Sequence, residues 1–172
     1  LKLVSNINVD EIKNLNSNFL KNKRFWFAAS THDNEEKFCL NTHLLIKERY
    51  EKIITIIAPR HISRVSKVKT LCEKMGLKFQ ILARKDLILE NSEVIILNSF
   101  GNILEYFKFA NSVFIGKSIV KKFENEGGQN PIEAAKLGCK VYHGPYVYNF
   151  KEVYEILKKL NISYEINSPD EL

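Results

Sequence analysis

From Arg24 onward, short β-branched apolar runs alternate with segments whose apolar residues recur at three- and four-residue spacing. Repeated strand-helix units around a parallel sheet produce this alternation, because crossover helices cover both faces and leave the strands buried on each side. The run Ile53-Ile54-Thr55-Ile56-Ile57-Ala58 is the clearest case, nearly uniformly apolar as a doubly covered strand should be. Strands are predicted at 25–29, 53–58, 79–82, 94–97, 113–115 and 141–143, with an edge strand at 162–166. Between them, Phe38, Cys39, Thr42, Leu45 and Ile46 mark the buried face of one helix. Ile62, Val65, Val68, Leu71, Cys72 and Met75 mark the next, which Gly76 ends as a C-cap. A short helix is predicted over 103–109, another from Pro131, and a last one carrying Phe150, Val153, Tyr154, Leu157 and Leu160 inward. Residues 117–129 and 144–149 read as loops. The fold class is therefore α/β, a parallel sheet flanked by helices.

With 172 residues and 45% hydrophobic content, the chain can bury one sizeable core, so residues 1–172 are expected to form a single domain. Its apolar runs fall far short of the roughly 20 residues needed to cross a bilayer. Leu1-Lys2-Leu3-Val4 lacks an initiator Met and signal-peptide features, and is read as an artificial or processing boundary. Three widely separated cysteines leave no complete disulfide framework and favour a reducing compartment. The scattered His32, His43, His61 and His143, without CxxC or HxxxH spacing, give no support for a metal site.

The net charge of +6 favours an anionic partner, whether nucleic acid, membrane surface or phosphorylated small molecule. Lysines matched by acids, as in Glu35-Glu36-Lys37, read as ordinary solvated surface. Nucleic acid is not expected as a partner, because Phe and Tyr fall at core positions rather than interleaving with Lys on one face.

In an open parallel sheet, ligands bind beyond the carboxyl ends of the strands, so the residues after each strand are the first candidates. Four segments qualify: Ser30-Thr31-His32, Pro59-Arg60-His61, Asn98-Ser99-Phe100-Gly101, and Gly127-Gly128-Gln129-Asn130-Pro131-Ile132-Glu133. The two glycines of the last permit close backbone approach to a ligand, and the helix that follows offers free N–H groups to a phosphate. Asn130 capping that helix, with Glu133 closing a variant capping box, explains the same residues structurally. The segment is neither a Walker A loop nor a GxGxxG fingerprint. Arg60 is placed either to grip a phosphate or carboxylate with two N–H groups, or merely to open the next helix. Thr31 and His32 are candidate donors to an acidic ligand, although Ser30 or Thr31 would equally cap the acidic helix that follows. His43 reads as structural or exposed, and His143 as a packing residue.

Taken in order, Ala28-Ala29-Ser30-Thr31-His32 with Glu35-Glu36, Ala58-Pro59-Arg60-His61, Gly128-Gln129-Asn130-Pro131-Ile132-Glu133-Ala134-Ala135 and Gly144-Pro145 with Asn149-Phe150 form a specific set. This series resembles the carboxyl-terminal domain of the 3-deoxy-D-manno-octulosonic acid (Kdo) transferase family, which transfers Kdo from CMP-Kdo to the lipid A precursor of lipopolysaccharide. The resemblance implies the second, donor-binding domain of a GT-B glycosyltransferase, built from two Rossmann-like domains facing across a cleft. Residues 1–23 would lead in from the first domain, which would carry the membrane anchor, the lipid acceptor site and the catalytic base. No catalytic residue is then expected in this chain. The donor-binding set would be Ser30, Thr31, His32, Arg60, His61, Ser99, Gly101, Gly127, Gly128, Gln129, Asn130 and Glu133.

Within that set, Arg60 and the helix from Pro131 would face the phosphate, and Glu133 the ribose hydroxyls. The resemblance further implies inversion, no cofactor beyond the substrate CMP-Kdo, and a full-length enzyme on the cytoplasmic face of the inner membrane. The isolated chain would be soluble and inactive. Two departures stand out: Asn98-Ser99-Phe100-Gly101-Asn102-Ile103 replaces the family's Asp-Thr-Met-Gly-Glu-Leu, and Ile115-Gly116-Lys117-Ser118 replaces Val-Gly-Gly-Ser. The alternatives are another GT-B transferase or epimerase that uses a UDP-sugar, or a noncatalytic remnant.

Overall fold

The apolar runs become the seven strands of one parallel sheet: β1 (Phe25–Thr31), β2 (Ile54–Pro59), β3 (Phe79–Leu82), β4 (Val94–Leu97), β5 (Ser112–Ile115), β6 (Lys140–His143) and β7 (Ser163–Glu165). Their order across the sheet is β3-β4-β2-β1-β5-β6-β7, with every neighbouring pair parallel. The computed structural model describes residues 7–172, so the boundary expected at Leu1-Lys2-Leu3-Val4 lies outside the described residues. The helices are α1 (Ser17–Asn22), α2 (Glu35–Arg49), α3 (Val65–Lys74), α4 (Leu104–Phe107), α5 (Ile132–Lys136) and α6 (Lys151–Lys159). No helix among the described residues is long and apolar enough to cross a membrane.

Successive side chains of a strand point to opposite faces, and β1 distributes them between two cores. Phe25, Phe27 and Ala29 enter a cluster with Leu20 of α1, Tyr106 and Phe107 of α4, Ala134 of α5 and Tyr154 of α6. Trp26 and Ala28 enter a second, with Cys39 and Leu40 of α2 and Val65, Val68 and Cys72 of α3. Both faces are thus covered, which is why these strands read as continuous apolar runs rather than alternating ones. Phe27 is fully buried, its ring centroid 5.5 Å from those of both Tyr106 and Phe107.

Several local expectations are corrected. Leu45 and Leu160, assigned to buried helix faces, are 40% and 61% exposed, because Leu40 and His43 fill the face of α2 and Tyr154 and Leu157 that of α6. Pro131 is the N-cap of α5 rather than its first residue, and α5 is only five residues long. A 3-10 turn at Lys121–Phe123 interrupts the predicted 117–129 loop and buries Phe123. Neither Ser30 nor Thr31 caps α2; Asn34 takes the N-cap position at φ 70 without a side-chain capping bond. His43 is fully buried under α2, with Nδ1 2.8 Å from the Thr55 hydroxyl.

The described part of the expected lead-in is fastened to this body. Leu20 is buried, Lys108 Nζ donates to the carbonyls of Val9 and Ile12 at 2.8 and 2.9 Å, and Asn16 bonds Asp86 and Ile88. What positions a site is the middle of the sheet. From β1 the chain steps to β2 on one side, while β5 flanks β1 on the other, so the strand order reverses between β1 and β5. The crevice above their carboxyl ends is the topological switch point.

Candidate functional site

At that switch point the two strand ends approach closely. The Gly116 N–H donates to the Ala29 carbonyl at 2.9 Å, and a Cβ on Gly116 would lie 2.4 Å from the Ser30 carbonyl oxygen. Ser30 and Lys117 both adopt left-handed backbone, at φ 55 and 58. Lys117 stands where the resemblance expects a second glycine, and it takes a conformation that glycine would adopt without strain.

The group that holds these loops together is Glu35, and the expectation of a solvated Glu35-Glu36 pair is overturned: both are fully buried. Glu35 Oε2 accepts the N–H groups of His32 at 2.9 Å and Lys117 at 2.7 Å, while Oε1 accepts those of Ser118 at 2.8 Å and Ile119 at 3.2 Å. Burial pushes its pKa upward, against the pull of these four bonds. Glu36 is gripped by Arg64 through Nε at 2.7 Å and Nη2 at 2.9 Å, and the same Nη2 reaches Asp33 at 2.8 Å. That hydrogen bond from Arg64 holds the Asp33 carboxyl below its usual range. A buried carboxylate without its guanidinium would cost several kcal/mol, so this pairing fixes the start of α2 against that of α3. Sequence reasoning missed Glu35, Glu36 and Arg64. No local signal marks the two acids, because the groups that make their burial tolerable come from residue 64 and from residues 117–119.

Of the candidates after β1, Thr31 is fully buried with its hydroxyl 3.5 Å from Glu36, so it faces the interior. His32 lies at the crevice, its ring 5.4 Å from that of Phe123 and 6.0 Å from that of His61. Its Nδ1 is 3.0 Å from the Ser30 carbonyl, which can only accept, so Nδ1 carries the proton. Burial lowers the pKa of His32 first, and the nearby His61, Lys117 and Arg60 lower it further against the raising effect of that carbonyl bond. In the neutral ring, Nε2 is then an acceptor, suited to a ligand hydroxyl rather than to an anion.

Arg60 and His61 are exposed. The Arg60 N–H is held by the Thr31 carbonyl at 2.9 Å, while its guanidinium hydrogen-bonds no other described residue. Lys117 completes the cationic rim; its ammonium has Glu126 at 4.0 Å and the Phe123 ring at 6.0 Å.

The packing of two loops makes its own demand on the two glycines. A Cβ on Gly127 would lie 2.2 Å from the Tyr146 carbonyl oxygen and 2.6 Å from that of Phe123. Gly128, at φ 93, donates its N–H to the Lys117 carbonyl at 2.6 Å. Together they allow the 117–129 and 144–149 loops to pack on each other. The Gln129 carbonyl accepts the Tyr154 hydroxyl at 3.0 Å. Asn130, the residue before the N-cap Pro131, accepts the Ile132 N–H on its Oδ1 at 3.0 Å, and neither bond of the expected capping box forms among the described residues. Glu133 is half-buried, and its carboxylate pairs with no other described residue. After β4, the Ser99 hydroxyl donates to Asn102 Oδ1 at 3.1 Å and Gly101 turns the exposed loop at φ 76. The structure thus gathers His32, Arg60 and His61 with Lys117 at the β1 end. Thr31 turns inward, and Ser99 is held within its own loop.

A cavity of about 400 Å³ lies beyond β6, bounded by His143, Tyr148, Lys151 and Tyr154. His143 is buried with its ring centroid 4.2 Å from that of Tyr154 and tilted 47° to it, a packing role as expected.

A parallel sheet in this order, with helices on both faces and a reversal of strand order between β1 and β5, defines a Rossmann-like α/β domain. The chain is a relative of the Kdo transferases. It is 29% identical over 158 residues to the 3-deoxy-D-manno-octulosonic acid transferase of Haemophilus influenzae, covering 92% of this chain and 36% of that protein. To the enzyme of the same name from Rickettsia conorii it is 31% identical over 139 residues, covering 81% of this chain and 29% of that protein. The chain thus spans about a third of the length of these curated relatives. No protein-family model matches it. Among solved structures, the C-terminal CMP-Kdo binding domain of WaaA from Acinetobacter baumannii superposes with a TM-score of 0.78 at 23% identity, covering 89% of this chain and 78% of that one. At that identity the likeness establishes the fold.

Proposed function

We propose that this chain is the donor-binding part of a GT-B glycosyltransferase that transfers Kdo from CMP-Kdo to a lipid A precursor. The observation that carries the reading is a rim at the switch point that holds the Arg60 and Lys117 cations with the His61 ring beside them, in a chain that follows Kdo transferase sequence over 92% of its length. A CMP-sugar acid brings a phosphodiester and a carboxylate, and Arg60, whose guanidinium bonds no other described residue, has a planar fork suited to either. In this reading Glu133, whose carboxylate pairs with no other described residue, accepts from ribose hydroxyls, and the His32 ring offers an acceptor nitrogen to a sugar hydroxyl.

In this mechanism the acceptor hydroxyl attacks the anomeric carbon of Kdo, the bond to the phosphate oxygen breaks, and CMP leaves with inversion. The rim stabilises charge gathering on the departing phosphate, as fixed groups do best when they need not reorganise. The five-residue α5 contributes less than its glycine-rich approach suggested, because Asn130 already occupies its Ile132 N–H. The proton acceptor and lipid site belong to the rest of the parent enzyme, at the cytoplasmic face of the inner membrane, so the isolated chain binds donor without transferring it.

The test is a transfer assay with CMP-Kdo generated continuously. A parent enzyme containing this segment should glycosylate a lipid A precursor, and Arg60→Ala in it should lower the rate. The isolated chain should give none. Robust transfer by the isolated chain would overturn the division of labour.

A further inference from the structure

The carboxylate of Glu35 occupies a concavity of backbone N–H groups at the switch point, where open αβ folds commonly cradle ligand phosphates. Four N–H groups converge on it, one from the end of β1 and three from the loop after β5, at 2.7–3.2 Å. Each oxygen receives two of them, which uses its full accepting capacity. A proton on either oxygen would have to displace one of these donors, so the arrangement requires the ionised form.

We propose that Glu35 makes this crevice selective for a donor with a single phosphate, by consuming the backbone N–H groups that a second phosphate would need. The inference rests on the donor-binding reading above. With these four N–H groups spent, the cations left at the β1 end among the described residues are Arg60 and Lys117, enough for one phosphodiester and one carboxylate. A nucleoside diphosphate brings additional negative charge to a crevice floored by a buried carboxylate, where repulsion is weakly screened. The left-handed Lys117 serves the same arrangement, since its backbone geometry aims its N–H at Glu35 while its side chain stays at the rim.

Calorimetry with CMP and CDP on the wild-type chain, Glu35→Gln and Glu35→Ala tests this. The wild type should bind CDP no more tightly than CMP. Glu35→Ala should shift the CDP-to-CMP preference toward CDP by about tenfold, the scale of one or two charge-assisted hydrogen bonds gained. Glu35→Gln, which keeps the shape but removes the charge, should shift it partway. Inorganic phosphate should raise the melting temperature of Glu35→Ala by more than that of the wild type, because the variant adds the freed N–H groups to the side-chain site. Wild-type preference for CDP, or an unchanged ratio in a folded variant, overturns the proposal; where neither variant folds, the wild-type ratio decides. If no form binds a cytidine nucleotide while phosphate still stabilises Glu35→Ala, the donor reading fails and the anion cradle stands.

Discussion

Lowering the pH from 7 to 4 should destabilise this fold through His43. The ring is fully buried against Thr55, and burial, partly offset by Glu93 and reinforced by Lys47, lowers its pKa from the ordinary 6.5 to about 4. Between those values the unfolded chain binds a proton that the folded one refuses, so stability is intact above pH 6.5 and drains away as the pH falls toward 4. A difference of about 2.5 units, at about 1.36 kcal/mol each, amounts to roughly 3 kcal/mol. Typical domains have only about 5–15 kcal/mol in total, so the loss is large. Urea unfolding of the wild type and His43→Asn at pH 7, 6, 5 and 4 isolates the effect, because other ionisable groups cancel in the difference. The variant starts less stable, and the gap should close by about 3 kcal/mol on acidification. Parallel curves would refute the assignment of His43 as a buried neutral ring.

Glu133→Gln should weaken CMP binding by about 1.5–3 kcal/mol in calorimetry. It should leave the melting temperature unchanged, since the Glu133 carboxylate makes no capping bond among the described residues. Arg60→Lys should lower CMP-Kdo affinity by about 1–2 kcal/mol with the fold intact, because a point charge cannot copy a planar fork. Gly127→Ala should cost about 2 kcal/mol or more in urea unfolding, because its Cβ would meet the Tyr146 carbonyl oxygen at 2.2 Å and backbone must move.

The sheet was legible because strands buried on both faces leave uninterrupted apolar runs; β3 and β4 match their predicted bounds residue for residue. The helix faces were legible only in part, since Leu45 fits the spacing yet remains exposed where Leu40 and His43 fill the contact. Arg60 and His61 could be placed at a strand end from pattern alone. The buried acids could not: Glu35 and Glu36 are adjacent to Lys37 in sequence, and only the approach of the 117–119 loop and of Arg64 in space makes their burial tolerable. The purpose of Gly127 and Gly128 was hidden for the same reason, since the 144–149 loop they accommodate lies elsewhere in the sequence. Ligand approach and loop packing make the same demand on a glycine, and the sequence showed only the first.

The central claim is that this crevice holds a cytidine-activated sugar acid. Calorimetric titration of the chain with freshly generated CMP-Kdo, with CMP and with a panel of UDP-sugars tests it most directly. The account predicts saturable binding of CMP-Kdo and CMP, weakened by Arg60→Lys and Glu133→Gln, and no saturation by UDP-sugars. Binding of a UDP-sugar with no response to either cytidine ligand would contradict it.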